Sequence, residues 1–326
     1  MAKEEQSPHG MTLPSYEDLF ARNYGIFSEA RQERLRRASV LIVGCGGIGG
    51  TVAIILARSG VGRFVLVDFD RYEPANMNRQ IACFADTLGR NKAQVIGEQI
   101  VKINPGAAVE IHDRLLDHVR IASLIPGADV VFPAADDFAF SIMVFRDAQK
   151  LGRMALLAVP SGTWANVCLI SPRGPSVEDI EGVPRLETYE ALKRMFETRK
   201  YKLGTYDFPL RADWRIEAYR SFIEDDGRPP QICPSVWICA SLAALEVVKH
   251  LTGQWKPVVA PRYWMITKNR IRIQRVNGPY VQTLLVWQRR ILWRVFQTRL
   301  GPGLECLQNL WWPIFCRERK NRQDRI

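Results

Sequence analysis

The chain has 326 residues, of which 47% are hydrophobic and 24% charged. These values are ordinary for a globular protein and exclude a long disordered chain or a fibrous repeat. No run approaches 18 apolar residues, so a membrane-spanning helix is not expected, and residues 1–20 have no apolar core of the signal-peptide type. Seven scattered cysteines, an odd number, favour reduced thiols in the cytoplasm over a disulfide framework.

The net charge of +11 is unevenly distributed along the chain. The segment 262–326 carries 14 basic and 3 acidic residues, whereas the remaining residues are balanced. An excess of this kind at one end indicates an acidic partner for that end, which is a nucleic acid, a membrane surface or an acidic protein.

The first part of the chain predicts alternating helices and strands. Residues 1–20 are expected to form a weakly structured leader, and residues 29–37 a helix of strong helix formers. A short apolar strand (39–43) then runs into a glycine-rich turn, a helix that ends at Gly60 and a second buried strand (63–68). This βαβ pattern predicts parallel strands joined by a right-handed crossover.

The alternation continues through the middle of the chain. We expect further helices at 91–103 and 138–150 and further strands at 128–132 and 154–159. The fold predicted by this alternation is a doubly wound, Rossmann-like α/β sheet of mostly parallel strands. The domain that carries this sheet is expected to span residues 21–276.

The second part of the chain departs from this alternation. Residues 172–232 are rich in proline, charged and aromatic residues, and we predict an insert that forms a lid or faces the substrate, with one helix near 186–200. A buried helix (236–251) and a late antiparallel hairpin (263–276) complete the domain. The remaining residues, 277–326, are expected to form a C-terminal helical tail that is basic and amphipathic.

Four interpretations of the tail, residues 277–326, stay open. Its basic face and its tryptophans are typical of a helix that lies on an anionic membrane, which would make the protein membrane-peripheral. The same charge is suited to contact with RNA phosphates. The amphipathic helix could also dock a protein. In the structural interpretation, a solvated basic face covers an apolar stripe that packs internally or forms a dimer.

A glycine-rich loop follows the first predicted strand. Gly44, Gly46 and Gly49 fit the pattern G-x-G-x-x-G between a strand and a helix, and Asp68 ends the next strand. Glycine lets the backbone approach phosphate, the helix N-terminus attracts anions, and a carboxylate at Asp68 can accept hydrogen bonds from ribose hydroxyls. The pattern predicts a nucleotide site over a purely structural turn, and by itself it leaves both NAD and ATP possible.

Three further motifs follow in a fixed order. The segment D-F-D-R-Y-E-P-A-N-M-N-R-Q runs from Asp68 to Gln80, G-R-N-K ends at Lys92, and A-A-D-D ends at Asp137. With these motifs and the stretch S-L-A-A-L-E-V-V-K-H-L-T-G, the sequence resembles the ThiF–MoeB–HesA family, the adenylating domains related to ubiquitin-activating enzymes. The resemblance covers roughly residues 22–253.

The resemblance implies an ATP- and Mg²⁺-dependent adenylyltransferase that activates a carboxylate. The substrate implied first is the C-terminus of a ubiquitin-like or sulfur-carrier protein, and a homodimer is expected. A related enzyme that activates a carboxylate on a modified tRNA base is an alternative with the same chemistry. A non-catalytic subunit of a heterodimeric activating complex and a nicotinamide dehydrogenase are alternatives of other classes, but the dehydrogenase leaves N-M-N-R-Q and Lys92 without a role.

The resemblance also implies roles for the motif residues on the nucleoside side. The glycine loop would contact the nucleotide directly, with Gly47 lying against it. Asp68 would hold the ribose, and Asp70 completes the D-x-D motif. Arg22, in R-N-Y-G-I-F, would match a leading arginine that relatives insert into the partner subunit's site. The residues assigned to nucleotide binding in this way are Gly44, Gly46, Gly47, Gly49, Asp68, Asp70 and, from a partner subunit, Arg22.

On the phosphate side, the resemblance implies that Asn76, Arg79 and Lys92 contact the triphosphate. Asp136 would hold Mg²⁺, with Asp137 beside it. Formation of an acyl-adenylate gathers negative charge on the phosphates, so fixed cations and a metal ion are the expected catalysts. The alternative interpretations are solvated surface charges for the two cations and a helix N-cap for the two acids.

The cysteines carry two further predictions. Many relatives hold a structural zinc ion with two C-x-x-C pairs, which this chain lacks, so no zinc site is expected. Cys233 lies at the start of a predicted helix, whose N-terminus lowers a thiol pKa, and it is the candidate for a nucleophile that receives the acyl group. A small buried core residue is the alternative for Cys233, and Cys168 and Cys45 are expected to be structural.

Overall fold

The computed structural model describes residues 14–198, 201–202, 212–225 and 227–276, together with residues 284, 287, 291 and 294. Most of the predicted leader and nearly all of the predicted tail therefore lie outside the described residues. The chain divides into two compact units, Met1–Lys193 with Pro230–Val276, and Arg194–Pro229 with Asn277–Ile326.

The described residues form one sheet of eight strands. The strands are β1 (Ser39–Val43), β2 (Arg63–Val67), β3 (Ala108–His112), β4 (Val130–Pro133), β5 (Met154–Ser161), β6 (Trp164–Ile170), β7 (Arg262–Thr267) and β8 (Arg270–Arg275). Their order across the sheet is β3-β2-β1-β4-β5-β6-β7-β8. The pairs from β3 across to β5 are parallel, whereas the pairs β5–β6, β6–β7 and β7–β8 are antiparallel.

This topology confirms the predicted Rossmann-like fold with a late antiparallel hairpin. β1 lies between β2 and β4, and Val43 is in register with both Val67 and Pro133. The strand order reverses at β1, so the crevice beyond its carboxyl end is where such a sheet binds ligands. β3 was not predicted, because its side chains are exposed or half-buried and give no apolar run.

Helices of the first unit cover both faces of its sheet. The α-helices with described bounds, taken over both units, are α1 (Tyr16–Leu19), α2 (Glu29–Arg37), α3 (Gly49–Ser59), α4 (Lys92–Ile103), α5 (His118–Leu124), α6 (Phe138–Lys150), α7 (Val177–Glu181), α8 (Tyr189–Glu197), α9 (Ile216–Glu224) and α10 (Cys233–Thr252). Side chains of α2, α3, α4 and α10 form one core with alternate strand residues such as Val40, Ile42 and Phe64. The intervening residues point to the other face, where α6 contacts β4 and β5.

Helix α10 is long and apolar enough by composition to cross a membrane, but 61% of its most apolar window is buried in the fold. It packs against α3, β5 and β6, and Cys239, Ala240 and Ala243 are fully buried. We therefore assign it as a core helix. It begins three residues before the predicted start, since Pro234 is tolerated in a first turn.

The predicted insert at 172–232 contains more helix than expected. Helix α8 matches the single predicted helix near 186–200. The segment also contains α7 and α9, so the expectation of one helix is wrong. Helix α7 has only five residues and starts at a capping box between Ser176 and Asp179, a signal too short to register as periodicity. Within the second unit, Lys202 donates to the Phe222 carbonyl at 3.3 Å.

Candidate nucleotide-binding site

The loop between β1 and α3 requires glycine for steric reasons. Gly44 has a φ of +103°, and a Cβ there would lie 2.6 Å from the Ala134 carbonyl oxygen. A Cβ on Gly49 would lie 1.8 Å from the Gly44 carbonyl oxygen. The glycines therefore let the loop fold back on itself and lie directly against the residues that follow β4.

The N-terminus of α3 points its first amides into this loop. No side chain caps the helix, and the Gly50 amide of its first turn donates to the Gly46 carbonyl of the loop at 3.0 Å. Aligned peptide dipoles add positive potential at the same place. The loop and helix start together have the geometry of a phosphate-binding turn, as the motif predicts.

Asp68 fastens the loop to the end of β2. Its carboxylate accepts hydrogen bonds from the Cys45 amide at 2.6 Å and the Asp70 amide at 2.8 Å. Burial raises the pKa of Asp68, while these backbone bonds and the nearby Lys92 ammonium act to lower it. The structure thus shows a role in shaping the loop that the motif alone does not indicate, and the contact with ribose stays a prediction.

Lys92 presents a buried ammonium group at the same edge of the sheet. It is the first residue of α4, whose N-cap Asn91 donates to the Asp68 carbonyl at 2.8 Å. The Lys92 Nζ lies 2.9 Å from Asp70 Oδ2, and the lysine side chain is 8% exposed. A side chain this buried is not a solvated surface charge, so that alternative does not hold for Lys92.

Arg79 lies against the glycine loop. A Cβ placed on Gly47 would lie 3.6 Å from Arg79 Cγ and 3.8 Å from Arg79 Nε. Arg79 Nε donates to Gln231 Oε1 at 2.7 Å, and Nη1 donates to the Ala75 carbonyl and Asn78 Oδ1. Sequence analysis missed Gln231, since no spacing rule links two positions 152 residues apart.

Asn76 is buried in the short 3₁₀ turn Pro74–Asn76 that precedes Arg79. Its Oδ1 accepts a hydrogen bond from the Glu73 amide at 3.1 Å. This bond shapes the turn and thereby sets where the arginine side chain begins. The predicted contact between Asn76 and a triphosphate stays a prediction.

The two acids after β4 have different surroundings. Asp137 is the N-cap of α6, with Oδ1 accepting from the Phe140 amide at 2.9 Å and Oδ2 accepting from the Tyr189 hydroxyl at 2.7 Å. Asp136 is exposed and makes no hydrogen bond or ion pair within the described part of the chain. The N-cap interpretation is thus correct for Asp137, and Asp136 has its carboxylate oxygens available for a hard cation.

Arg22 and Cys233 are placed differently relative to this central group. Arg22 is exposed, and its neighbour Asn23 donates to the Ser59 carbonyl at the C-terminal end of α3. Since α3 rises about 1.5 Å per residue over 11 residues, Arg22 is distant from the glycine loop of its own chain. Cys233 is half-buried at the first residue of α10, two residues after Gln231. Both roles stay predictions.

The two thiols that were expected to be structural lie in the core. Cys45 and Cys168 are fully buried, and burial raises the pKa of each thiol well above its ordinary value. Both thiols are therefore protonated at neutral pH and unsuited to nucleophilic attack.

The sheet brings the central residues together at one edge. The carboxyl ends of β1, β2 and β4 are adjacent, so Gly44, Asp68 and the Ala134–Asp137 segment meet there, with Arg79 in the connection that follows β2 and Lys92 at the start of α4. The arrangement combines a phosphate-binding turn, two positioned cations and an open carboxylate. It suits the binding of a polyphosphate with a divalent metal ion.

Comparison with known proteins identifies similar chains. HesA of Nostoc sp. (strain PCC 7120) is 39% identical over 236 residues, which cover 72% of this chain and 79% of HesA. The probable adenylyltransferase/sulfurtransferase MoeZ of Mycobacterium tuberculosis is 35% identical over 136 residues, 42% of this chain and 33% of MoeZ. The sulfur carrier protein adenylyltransferase of Thermus thermophilus is 36% identical over 122 residues, 37% of this chain and 45% of the relative. The match thus spans a third to a half of the last two.

Solved structures show the same fold. E. coli MccB with ATP has a TM-score of 0.58 and 26% identity, covering 81% of this chain and 74% of MccB. MccB in complex with N-formylated MccA has a TM-score of 0.62 and 25% identity, covering 81% and 75%. A family model described as the ThiF family matches residues 20–283. The described site and this match agree, and the chain belongs to the ThiF family.

Proposed function

We propose that this protein is an ATP-dependent adenylyltransferase that activates a carboxylate. The observation that carries the proposal is the group of Lys92, Arg79 and Asp136 around the glycine loop at the switch point of the sheet. Relatives named adenylyltransferases and the MccB structure with ATP support it. A nicotinamide dehydrogenase would leave the buried Lys92 ammonium without a function.

In the proposed reaction a carboxylate oxygen of the substrate attacks the α-phosphorus of ATP. A bond forms between that oxygen and phosphorus, the bond to the bridging oxygen of the β-phosphate breaks, and pyrophosphate leaves with its electron pair. No proton is transferred. Lys92 and Arg79 would hold the phosphates and oppose their charge as it shifts towards the leaving group. The α3 amides would hold phosphate oxygens through the backbone.

The donor set also fits Mg²⁺. Asp136 offers carboxylate oxygens, the ligands this ion prefers, and they are free of other described partners. When bound, the ion supplies neutralisation of phosphate charge. Asp136 would hold the ion at the end of β4, while Asp137 fixes the adjacent backbone by capping α6.

The substrate class that we propose is the C-terminal carboxylate of a small carrier protein. The Thermus relative is named for a sulfur carrier protein, and MccB was solved in complex with N-formylated MccA. A carboxylate on a modified tRNA base is the second candidate, which the basic composition of 277–326 favours.

The experiment is ATP–pyrophosphate exchange by the full-length protein. Labelled pyrophosphate should enter ATP when a sulfur-carrier protein ending in Gly-Gly is added with Mg²⁺, and EDTA should stop it. Exchange with tRNA in place of the carrier would favour the second candidate. Binding of NADH without binding of ATP, measured by calorimetry, would overturn the proposal.

A further inference from the structure

Gln231 joins three separate segments of the candidate site. Its Oε1 accepts from Arg79 Nε at 2.7 Å, and its Nε2 donates to the Pro160 carbonyl at 3.4 Å. Its own carbonyl accepts from Asn78 Nδ2 at 3.1 Å. The side chain of Gln231 thus connects the loop that carries Arg79 and the end of β5 to the start of α10.

The backbone around Gln231 is itself fixed. It forms a parallel bridge with Gly162, whose amide donates to the Pro230 carbonyl at 2.8 Å. On the other side, the Trp237 indole donates to the Arg79 carbonyl at 3.0 Å. The amide group of Gln231 is therefore anchored on the sheet before it reaches Arg79, so it can dictate where the guanidinium lies.

The hydrogen-bond partners of Arg79 among the described residues are all uncharged. Nε and Nη1 bond to an amide oxygen of Gln231, a second amide oxygen of Asn78 and the Ala75 carbonyl. Nη2 makes no hydrogen bond to the described residues, and no carboxylate pairs with the guanidinium there. A neutral anchor orients a cation without cancelling its charge, whereas a carboxylate would do both.

We propose that Gln231 is a positioning residue that holds the Arg79 guanidinium over the glycine loop with its full charge and its Nη2 edge directed to a phosphate. The inference rests on the proposed function, because the phosphate belongs to ATP. It adds a residue that lies outside every motif that identifies the nucleotide site.

The test compares Gln231→Leu and Gln231→Glu with Arg79→Ala and with the double variant Arg79→Ala/Gln231→Leu. Gln231→Leu should lower kcat/KM for ATP in pyrophosphate exchange by about 10- to 100-fold, the range for losing one hydrogen bond to a charged group. The loss should appear as a higher KM for ATP. In the Arg79→Ala background, Gln231→Leu should have no further effect, because the group that it positions is gone.

Gln231→Glu keeps the size and the acceptor for Arg79, replaces the donor to the Pro160 carbonyl with a carboxylate oxygen, and adds a negative charge that the glutamine side chain lacks. It should keep the fold and still raise the KM for ATP, and it carries the test if Gln231→Leu does not fold. Gln254→Leu is the matched control, since Gln254 also donates to a backbone carbonyl, that of Ile26, away from the glycine loop. Thermal unfolding of each variant reports any structural loss.

Two outcomes would overturn the inference alone. One is that the wild-type protein is active and both Gln231 variants have the wild-type kcat/KM for ATP. The other is an equal loss from Gln231→Leu with and without the Arg79 side chain, which would mean a purely structural role. Failure of the wild-type protein to exchange pyrophosphate or bind ATP would instead overturn the proposed function, and the two failures are therefore distinguishable.

Discussion

The Lys92 ammonium lies 2.9 Å from the Asp70 carboxylate, and the lysine is the buried partner, at 8% exposed against 48% for the aspartate. A buried cation keeps a strong field because little water screens it. Asp70 is the exposed member of the pair, so we expect the phosphate oxygens of a bound nucleotide to compete with this carboxylate for the Lys92 ammonium.

We expect Lys92→Met to lower pyrophosphate exchange by about 100-fold or more, the size of effect seen when one positioned charge-stabilising donor is removed. The methionine fits the apolar stem of the lysine, so the fold should persist. Lys102→Met, an exposed lysine at the other end of α4, is the control and should keep wild-type exchange. Exchange by Lys92→Met at the wild-type rate would exclude the proposed role.

Substitutions of the two acids after β4 should have different effects, one on ATP binding and the other on stability. Asp136→Ala should abolish the Mg²⁺ dependence of ATP binding and leave the free energy of unfolding within about 0.5 kcal/mol, because the side chain is exposed and unpaired among the described residues. Asp137→Ala should lower the free energy of unfolding by about 1 kcal/mol through loss of the α6 cap. Urea denaturation and calorimetric ATP titration measure the two effects. The reverse pattern would mean that Asp137 holds the metal.

Gly44→Ala should disturb the loop itself. The new Cβ would meet the Ala134 carbonyl oxygen at 2.6 Å in a backbone with φ of +103°. We expect a loss of about 2 kcal/mol or more in the free energy of unfolding, together with weaker ATP binding. Gly89→Ala has a positive φ of +77° but nothing within 4 Å, and should cost only about 1 kcal/mol of strain. Equal losses at the two positions would show that the contact with Ala134 does not matter.

Glu246 should be one of the costliest polar residues to remove. It is fully buried, and its carboxylate accepts from Lys249, the Val258 amide and the Trp264 indole at 2.7, 2.6 and 2.7 Å. Glu246→Ala removes the buried carboxylate that accepts from all three donors, so we expect a loss of about 3 to 5 kcal/mol in urea denaturation. Glu33→Ala removes an exposed ion pair with Arg37 and should change stability by less than about 1 kcal/mol. A small effect at Glu246 would mean that the pocket relaxes or admits water.

His250 should make stability depend on pH. Burial lowers the pKa of His250 below its ordinary 6.5, with Arg34 adding to the shift and Asp129 opposing it. Below pH 6.5 the unfolded chain binds more protons than the folded one at this site, so stability from His250 is lost as pH falls through the lower, folded-state pKa. His250→Gln should remove this part of the pH dependence. The measurement is the free energy of unfolding of both proteins at about pH 5 and about pH 7.5.

The predictions from sequence succeeded where the signal is local. The βαβ pattern, the Gly60 helix end and the helix after Asp137 all follow from neighbouring residues, through apolar periodicity and turn chemistry. Strand β3 and helix α7 were missed because each is five residues long and neither shows an apolar period.

By itself, the sequence determined the fold class, the glycine loop and the motif residues that resemble the ThiF family, because spacing along the chain is enough to place them after particular strands. Only the tertiary structure decided that Asp137 caps a helix while Asp136 stays open, that Lys92 is buried against Asp70, and that Gln231 holds Arg79. The physical reason is that hydrogen bonding and burial depend on which distant segments the folded chain brings into contact. No local pattern encodes a contact between residues 152 positions apart.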